Sequence, residues 1–82
     1  MIKVLFFAAY RERLGCDTLE LETDAGTINA LQSQLAERGD IWRRLLQDRK
    51  THVAINQTIA IDPATEIHSG DEVAFFPPVT GG

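Results

Sequence analysis

The groups in this chain best placed to do chemistry belong to the main chain, at Gly81 and Gly82, which follow Phe75-Phe76-Pro77-Pro78-Val79-Thr80. Successive prolines have no N–H for a sheet ladder and fix φ near the polyproline II value, so a strand containing Phe75 ends by about Phe76. The tail then projects, and from Pro77 to Gly82 an extended chain reaches roughly 20 Å, enough to enter a partner's pocket. Glycine has no Cβ, so Gly81 can thread a narrow channel while a nucleotide or nucleophile approaches the carbonyl of Gly82 closely. The expected chemistry is therefore acyl chemistry at the Gly82 carboxylate. The competing reading is an inert, frayed tail.

Nothing else in the chain offers a catalytic set. There is no Ser-His-Asp pattern, no readable pair of carboxylates and no glycine-rich phosphate loop. His52 and His68 stand isolated in sequence and read as solvated or hydrogen-bonded structural residues. The lone Cys16 has no CxxC or His-spaced companion, so it reads as a packing or surface residue; a reducing, cytoplasmic setting fits it and a metal site does not.

Composition narrows the partners. Lys plus Arg number 8 against 12 Asp plus Glu, a formal charge of −4, and no basic run exceeds two residues. Nucleic acid and anionic membranes are excluded as expected partners, whereas a basic protein surface fits. The apolar run Val4 to Tyr10 is too short to cross a bilayer. With 82 residues the chain has room for one small core, and the expected division is a domain over residues 1–76 and a reactive tail over 77–82.

The elements that must hold such a tail are legible by periodicity. Ile2 to Ala8 predicts a first strand, with Ile2, Val4 and Phe6 on one face and Lys3, Leu5 and Phe7 on the other. Arg11 to Gly15 reads as a polar connection closed by glycine, and Thr18 to Glu22 as a half-buried second strand antiparallel to the first. Thr27 is placed to cap a helix over Ile28 to Arg38, whose Ile28, Leu31 and Leu35 form one stripe, with Gly39 as a left-handed stop. A shorter helical segment from Asp40 carries Trp42, Leu45 and Leu46 over one end of the core. Val53/Ile55 and Ile59/Ile61 flank Asn56-Gln57-Thr58 as a hairpin, and Gly70-Asp71 turns into a last strand, Glu72 to Phe76.

One helix with one apolar stripe covers one sheet face. The predicted fold is α+β: a β-grasp, ubiquitin-like mixed sheet of four or five strands packed on one main helix, with first and last strands parallel. The expected core is Ile2, Val4, Phe6, Leu19 or Leu21, Ile28, Leu31, Leu35, Val53, Ile55, Val73 and Phe75, with Trp42 added from the shorter segment. Alternation leaves Phe7 and Phe76 on the far face with Lys3 and Glu72, where exposed aromatics mark a partner surface.

Ile2-Lys3-Val4-Leu5-Phe6-Phe7-Ala8, Val53-Ala54-Ile55-Asn56-Gln57 and the run from Gly70-Asp71-Glu72-Val73 to Val79-Thr80-Gly81-Gly82 resemble the MoaD/ThiS sulfur-carrier family, and within it the molybdopterin synthase small subunits. The resemblance runs the length of the chain. It implies that Gly82 is adenylated by an activating enzyme of the ubiquitin-E1 type (MoeB), converted to a thiocarboxylate with sulfur from a donor protein, and used to sulfurate cyclic pyranopterin monophosphate in the active site of a large subunit, MoaE. It also implies two small and two large subunits per complex. No cofactor is expected to be tightly bound, ATP being consumed on the activating enzyme. The resemblance adds Ile59 to Phe7 and Phe76 on the partner surface, together with Pro77, Pro78, Val79 and Thr80 of the tail. A protein modifier joined to target lysines, a thiamine-pathway carrier and a plain adaptor are the alternatives; the aromatic Phe75-Phe76-Pro77-Pro78 and the longer helical insert disfavour the thiamine carrier.

Overall fold

The computed structural model describes residues 1–77. β1 (Ile2–Phe6) and β5 (Glu72–Phe76) are parallel neighbours at the middle of a five-stranded sheet. β2 (Thr18–Leu21) flanks β1 in antiparallel register, while β3 (His52–Ile55) pairs antiparallel with both β5 and β4 (Thr58–Ala60). The spatial order is β2-β1-β5-β3-β4, so the first and last strands meet across almost the whole chain. Three helices complete the described residues: α1 (Ala9–Leu14), α2 (Ile28–Ala36) and α3 (Asp40–Leu46).

The expected core is largely the observed one. Ile28, Leu31 and Leu35 of α2 meet Ile2, Val4, Phe6, Val53, Val73 and Phe75 of the sheet in one buried cluster. Phe6 and Phe75, in register on adjacent strands, stack with centroids 6.0 Å apart. Trp42 of α3 is half-buried and meets Phe6 edge-on at 5.4 Å, with the Arg38 guanidinium 4.8 Å from its ring centre. Leu45 and Leu46 are buried behind it, as the α3 stripe requires. Ile55, Leu19 and Leu21 are only partly buried, since β2 is an edge strand and Ile55 is the last residue of β3.

Three local expectations need correction. Arg11 to Gly15 is not a polar connection but the body of α1: Tyr10 and Leu14, at i and i+4, turn inward, and the Gly15 N–H closes the helix on the Arg11 carbonyl at φ 67. β1 stops at Phe6 rather than Ala8, because Ala8 takes φ 54, ψ −131 in a turn closed by Tyr10 N–H to Phe7 C=O. α2 ends at Ala36, where the N–H groups of Glu37 and Arg38 bond to Gln34 and Leu35 and tighten the last turn; Gly39 then leads into α3 instead of forming a left-handed cap.

The segment after β4 does work its composition does not advertise. Its carbonyls at Thr65 and Pro63 accept the N–H groups of Ile28 and Asn29, and Thr27 Oγ1 accepts that of Ala30, so the first turn of α2 is satisfied. Ile67 is buried beneath it. On the other side of the sheet end, the Thr51 hydroxyl bonds the Leu45 carbonyl and pairs with the Tyr10 hydroxyl at 2.7 Å, joining α1, α3 and the start of β3.

Candidate docking face and tail

The face of the sheet turned away from α2 is built by strand parity. In-register pairs place Lys3 between Glu20 and Glu72, Leu5 between Thr18 and Ala74, and Ala54 between Ala74 and Ile59. Phe7 lies one residue past the Phe6–Phe75 pair, its N–H still bonded to the Phe75 carbonyl at 3.2 Å, which brings it beside Phe76. The end of the sheet nearest Pro77 is therefore apolar and the opposite end is charged. Ala54 and Ala74 form a flat buried floor, while Phe7 and Ile59 stand 45% and 56% exposed at its two sides.

The structure thus gathers Phe7, Phe76 and Ile59 on one face, as expected from alternation and resemblance. Pro77 follows directly and is half-buried. Pro78, Val79, Thr80, Gly81 and Gly82 lie outside the described residues. His52 is the residue that sequence reasoning left without a role here. It is exposed, pairs in register with Phe76, and stacks on that ring at 5.5 Å with 23° between planes. Alternation from Val53 and Ile55 would have put it on this face.

The charged end has its own fastening. The β3–β4 turn takes positive φ at Asn56 (50°) and Gln57 (72°), the mirror-image turn that matches strand twist. Asn56 bonds its N–H to the Glu72 carbonyl at 2.8 Å, accepts the Glu72 N–H at 3.0 Å and donates from Nδ2 to Asp71 Oδ1 at 3.1 Å. Asp71 also accepts the His68 N–H at 2.7 Å. The Asn56 bond first, then the His68 N–H and the nearby His68 ring, hold the Asp71 carboxyl below its ordinary value. These bonds fix where β5 begins and hence where it delivers Phe76 and Pro77.

Elsewhere, Cys16 is half-buried with its Sγ 3.4 Å from the Thr18 carbonyl. His68 is exposed near Asp71. No helix among the described residues is long and apolar enough to cross a membrane.

Five mixed strands wrapped on one main helix, with β1 and β5 parallel at the centre, define a ubiquitin-like β-grasp domain. The chain belongs to the ThiS family, which it matches over residues 4–82. It is 51% identical to a molybdopterin synthase sulfur carrier subunit of Escherichia coli and 49% identical to one of Haemophilus influenzae, in both cases over the full length of both chains. Among solved structures it resembles SAMP1 of Haloferax volcanii, with a TM-score of 0.79 and 26% identity over 99% of this chain and 98% of that one.

Proposed function

We propose that this protein is the sulfur-carrier subunit of a molybdopterin synthase and that Gly82 carries the sulfur. The observation that supports this most strongly is the full-length identity of about half to two sulfur carrier subunits. The architecture agrees with it, since β5 leads from an exposed apolar face straight into Pro77 and the glycine tail.

The chemistry follows from the carboxylate. It has no good leaving group, so a Gly82 oxygen first attacks the α-phosphorus of ATP on an activating enzyme, releasing pyrophosphate and forming a mixed anhydride. The outer sulfur of a persulfide on a donor protein then attacks the Gly82 carbonyl carbon and the C–O bond to AMP breaks. A thiol next attacks the donor-side sulfur of the resulting acyl disulfide, which breaks the S–S bond, leaves a disulfide on the donor and releases the thiocarboxylate. Within the large subunit this soft anion attacks a side-chain carbon of the cyclic pyranopterin monophosphate, whose phosphate-ester oxygen leaves that carbon. Water then hydrolyses the carrier's acyl C–S bond, so the sulfur stays on the pterin and the Gly82 carboxylate is restored. No side chain of this chain takes part in bond making. Its own residues contribute docking through Phe7, Phe76 and Ile59, a stiff exit through Pro77 and Pro78, and a thin thread through Val79, Thr80 and Gly81. The setting proposed is the cytoplasm, with two small and two large subunits per complex.

The test is the intact mass of the chain isolated from its own cells. A thiocarboxylate in place of the terminal carboxylate, lost on deletion of Gly82, is the expected result. A mass showing only isopeptide conjugates to lysine would replace this reading with that of a protein modifier.

A further inference from the structure

We propose that His52 is a third anchor for the large subunit, stacked on Phe76 and giving a ring N–H to an acceptor on that partner. The inference rests on the functional reading above. It begins with position: His52 opens β3, Phe76 closes β5, and their pairing is the last in-register rung of that ladder before Pro77. Proline has no N–H to extend the ladder, so Pro77 leaves the sheet at this rung. A partner that takes the tail into a pocket must close over the residues at its root.

Those residues form one strip across three neighbouring strands, Phe7 of the β1 end, Phe76 of β5 and His52 of β3. Two of its members are hydrocarbon rings and the third is not. The near-parallel stack at 5.5 Å turns one face of the imidazole onto Phe76 and leaves its edge open. Among the described residues no side-chain or backbone group hydrogen-bonds the His52 ring, and the residue is exposed. A bare imidazole edge closed into an apolar interface would lose its water without compensation, which is unfavourable unless the partner supplies an acceptor. The surface that fits this strip is accordingly apolar opposite Phe7 and Phe76, with one carbonyl or carboxylate oxygen opposite His52. Such a single polar contact within an apolar patch fixes register, since a shifted docking leaves both groups unpaired.

The experiment titrates the full chain against the purified large subunit by calorimetry, and separately against the activating enzyme. The proteins compared are wild type, His52→Leu, His52→Ala and, as a control for the face, Phe7→Arg. His52→Leu keeps apolar bulk but removes the donor, and should weaken binding to the large subunit about tenfold, the scale of one interface hydrogen bond. His52→Ala removes the stack as well and should weaken it further, with unchanged thermal unfolding in both variants. Affinity for the large subunit within twofold of wild type in both variants, while Phe7→Arg loses binding, overturns the role of His52 and leaves the functional reading standing. Loss confined to the activating enzyme assigns the contact to the wrong partner and overturns it too. Wild-type affinity in Phe7→Arg refutes the docking face itself.

Discussion

Replacing Asn56 tests how the hairpin turn fixes the start of the central strand. Asn56→Ala removes two side-chain bonds, Nδ2 to Asp71 and Oδ1 from the Glu72 N–H, and places a Cβ-bearing residue without a compensating polar group at φ 50. Both bonds are at an exposed site, so each is worth about 0.5 kcal/mol and not the larger value for a buried charge-assisted bond. The left-handed conformation adds about 1 kcal/mol for alanine relative to a residue that tolerates it. The expected loss is about 2 kcal/mol, or roughly 10 °C in Tm for a domain of this size. Asn56→Gly loses the same bonds without the conformational cost, and should lose about 1 kcal/mol.

Urea unfolding at neutral pH, followed through the single Trp42, measures both variants against wild type. The acid limb supplies a second reading. The Asp71 carboxyl is depressed below its ordinary 3.8, so its contribution is complete above that pH and is lost as pH falls through the lower folded value. Asn56 is the largest cause of that depression, and the gap between wild type and Asn56→Ala should therefore narrow below about pH 3.8. Equal losses for alanine and glycine would refute the conformational part of this account. A gap that stays constant into acid would refute the Asp71 part.

Ala8→Gly should stabilise the fold by about 1 kcal/mol, since relief of a positive-φ alanine outweighs the added flexibility of glycine in the unfolded chain; a rise of about 5 °C in Tm is the check. Ile59→Arg, at a position 56% exposed, should change unfolding by no more than about 0.5 kcal/mol yet weaken binding to the large subunit by about 2 kcal/mol, measured on the same preparation. Gly81→Val should damage both adenylation and product formation more than Pro77→Ala, whose cost is stiffness alone, about 1 kcal/mol; equal mild effects in the two assays would show that the tail is not threaded through a tight channel.

How much of this was legible beforehand depends on the range of the signal. The parity of Lys3, Leu5 and Phe7 against Val4 and Phe6 is local, and it placed Phe7 on the sheet face turned away from α2 without knowledge of any neighbour. The Ile28, Leu31, Leu35 stripe behind Thr27 likewise announced α2, and Thr27 Oγ1 does accept the Ala30 N–H. Helix α1 escaped because Arg11, Glu12 and Arg13 mask the two inward residues, Tyr10 and Leu14, whose value is realised only against Thr51 and the core. The capping of α2 by the carbonyls of Pro63 and Thr65 was equally hidden, since it joins backbone groups more than thirty residues apart and leaves no side-chain pattern. His52 falls between these cases. Its face could be read from Val53 and Ile55, but its stack on Phe76 requires the β3–β5 register, which is set at the other end of the ladder by Asn56 and Glu72. A change at Asn56 should therefore be felt at the tail root as well as in stability: if the bonds there slip, the rung at His52 and Phe76 slips with them, and the strip offered to the partner loses its order.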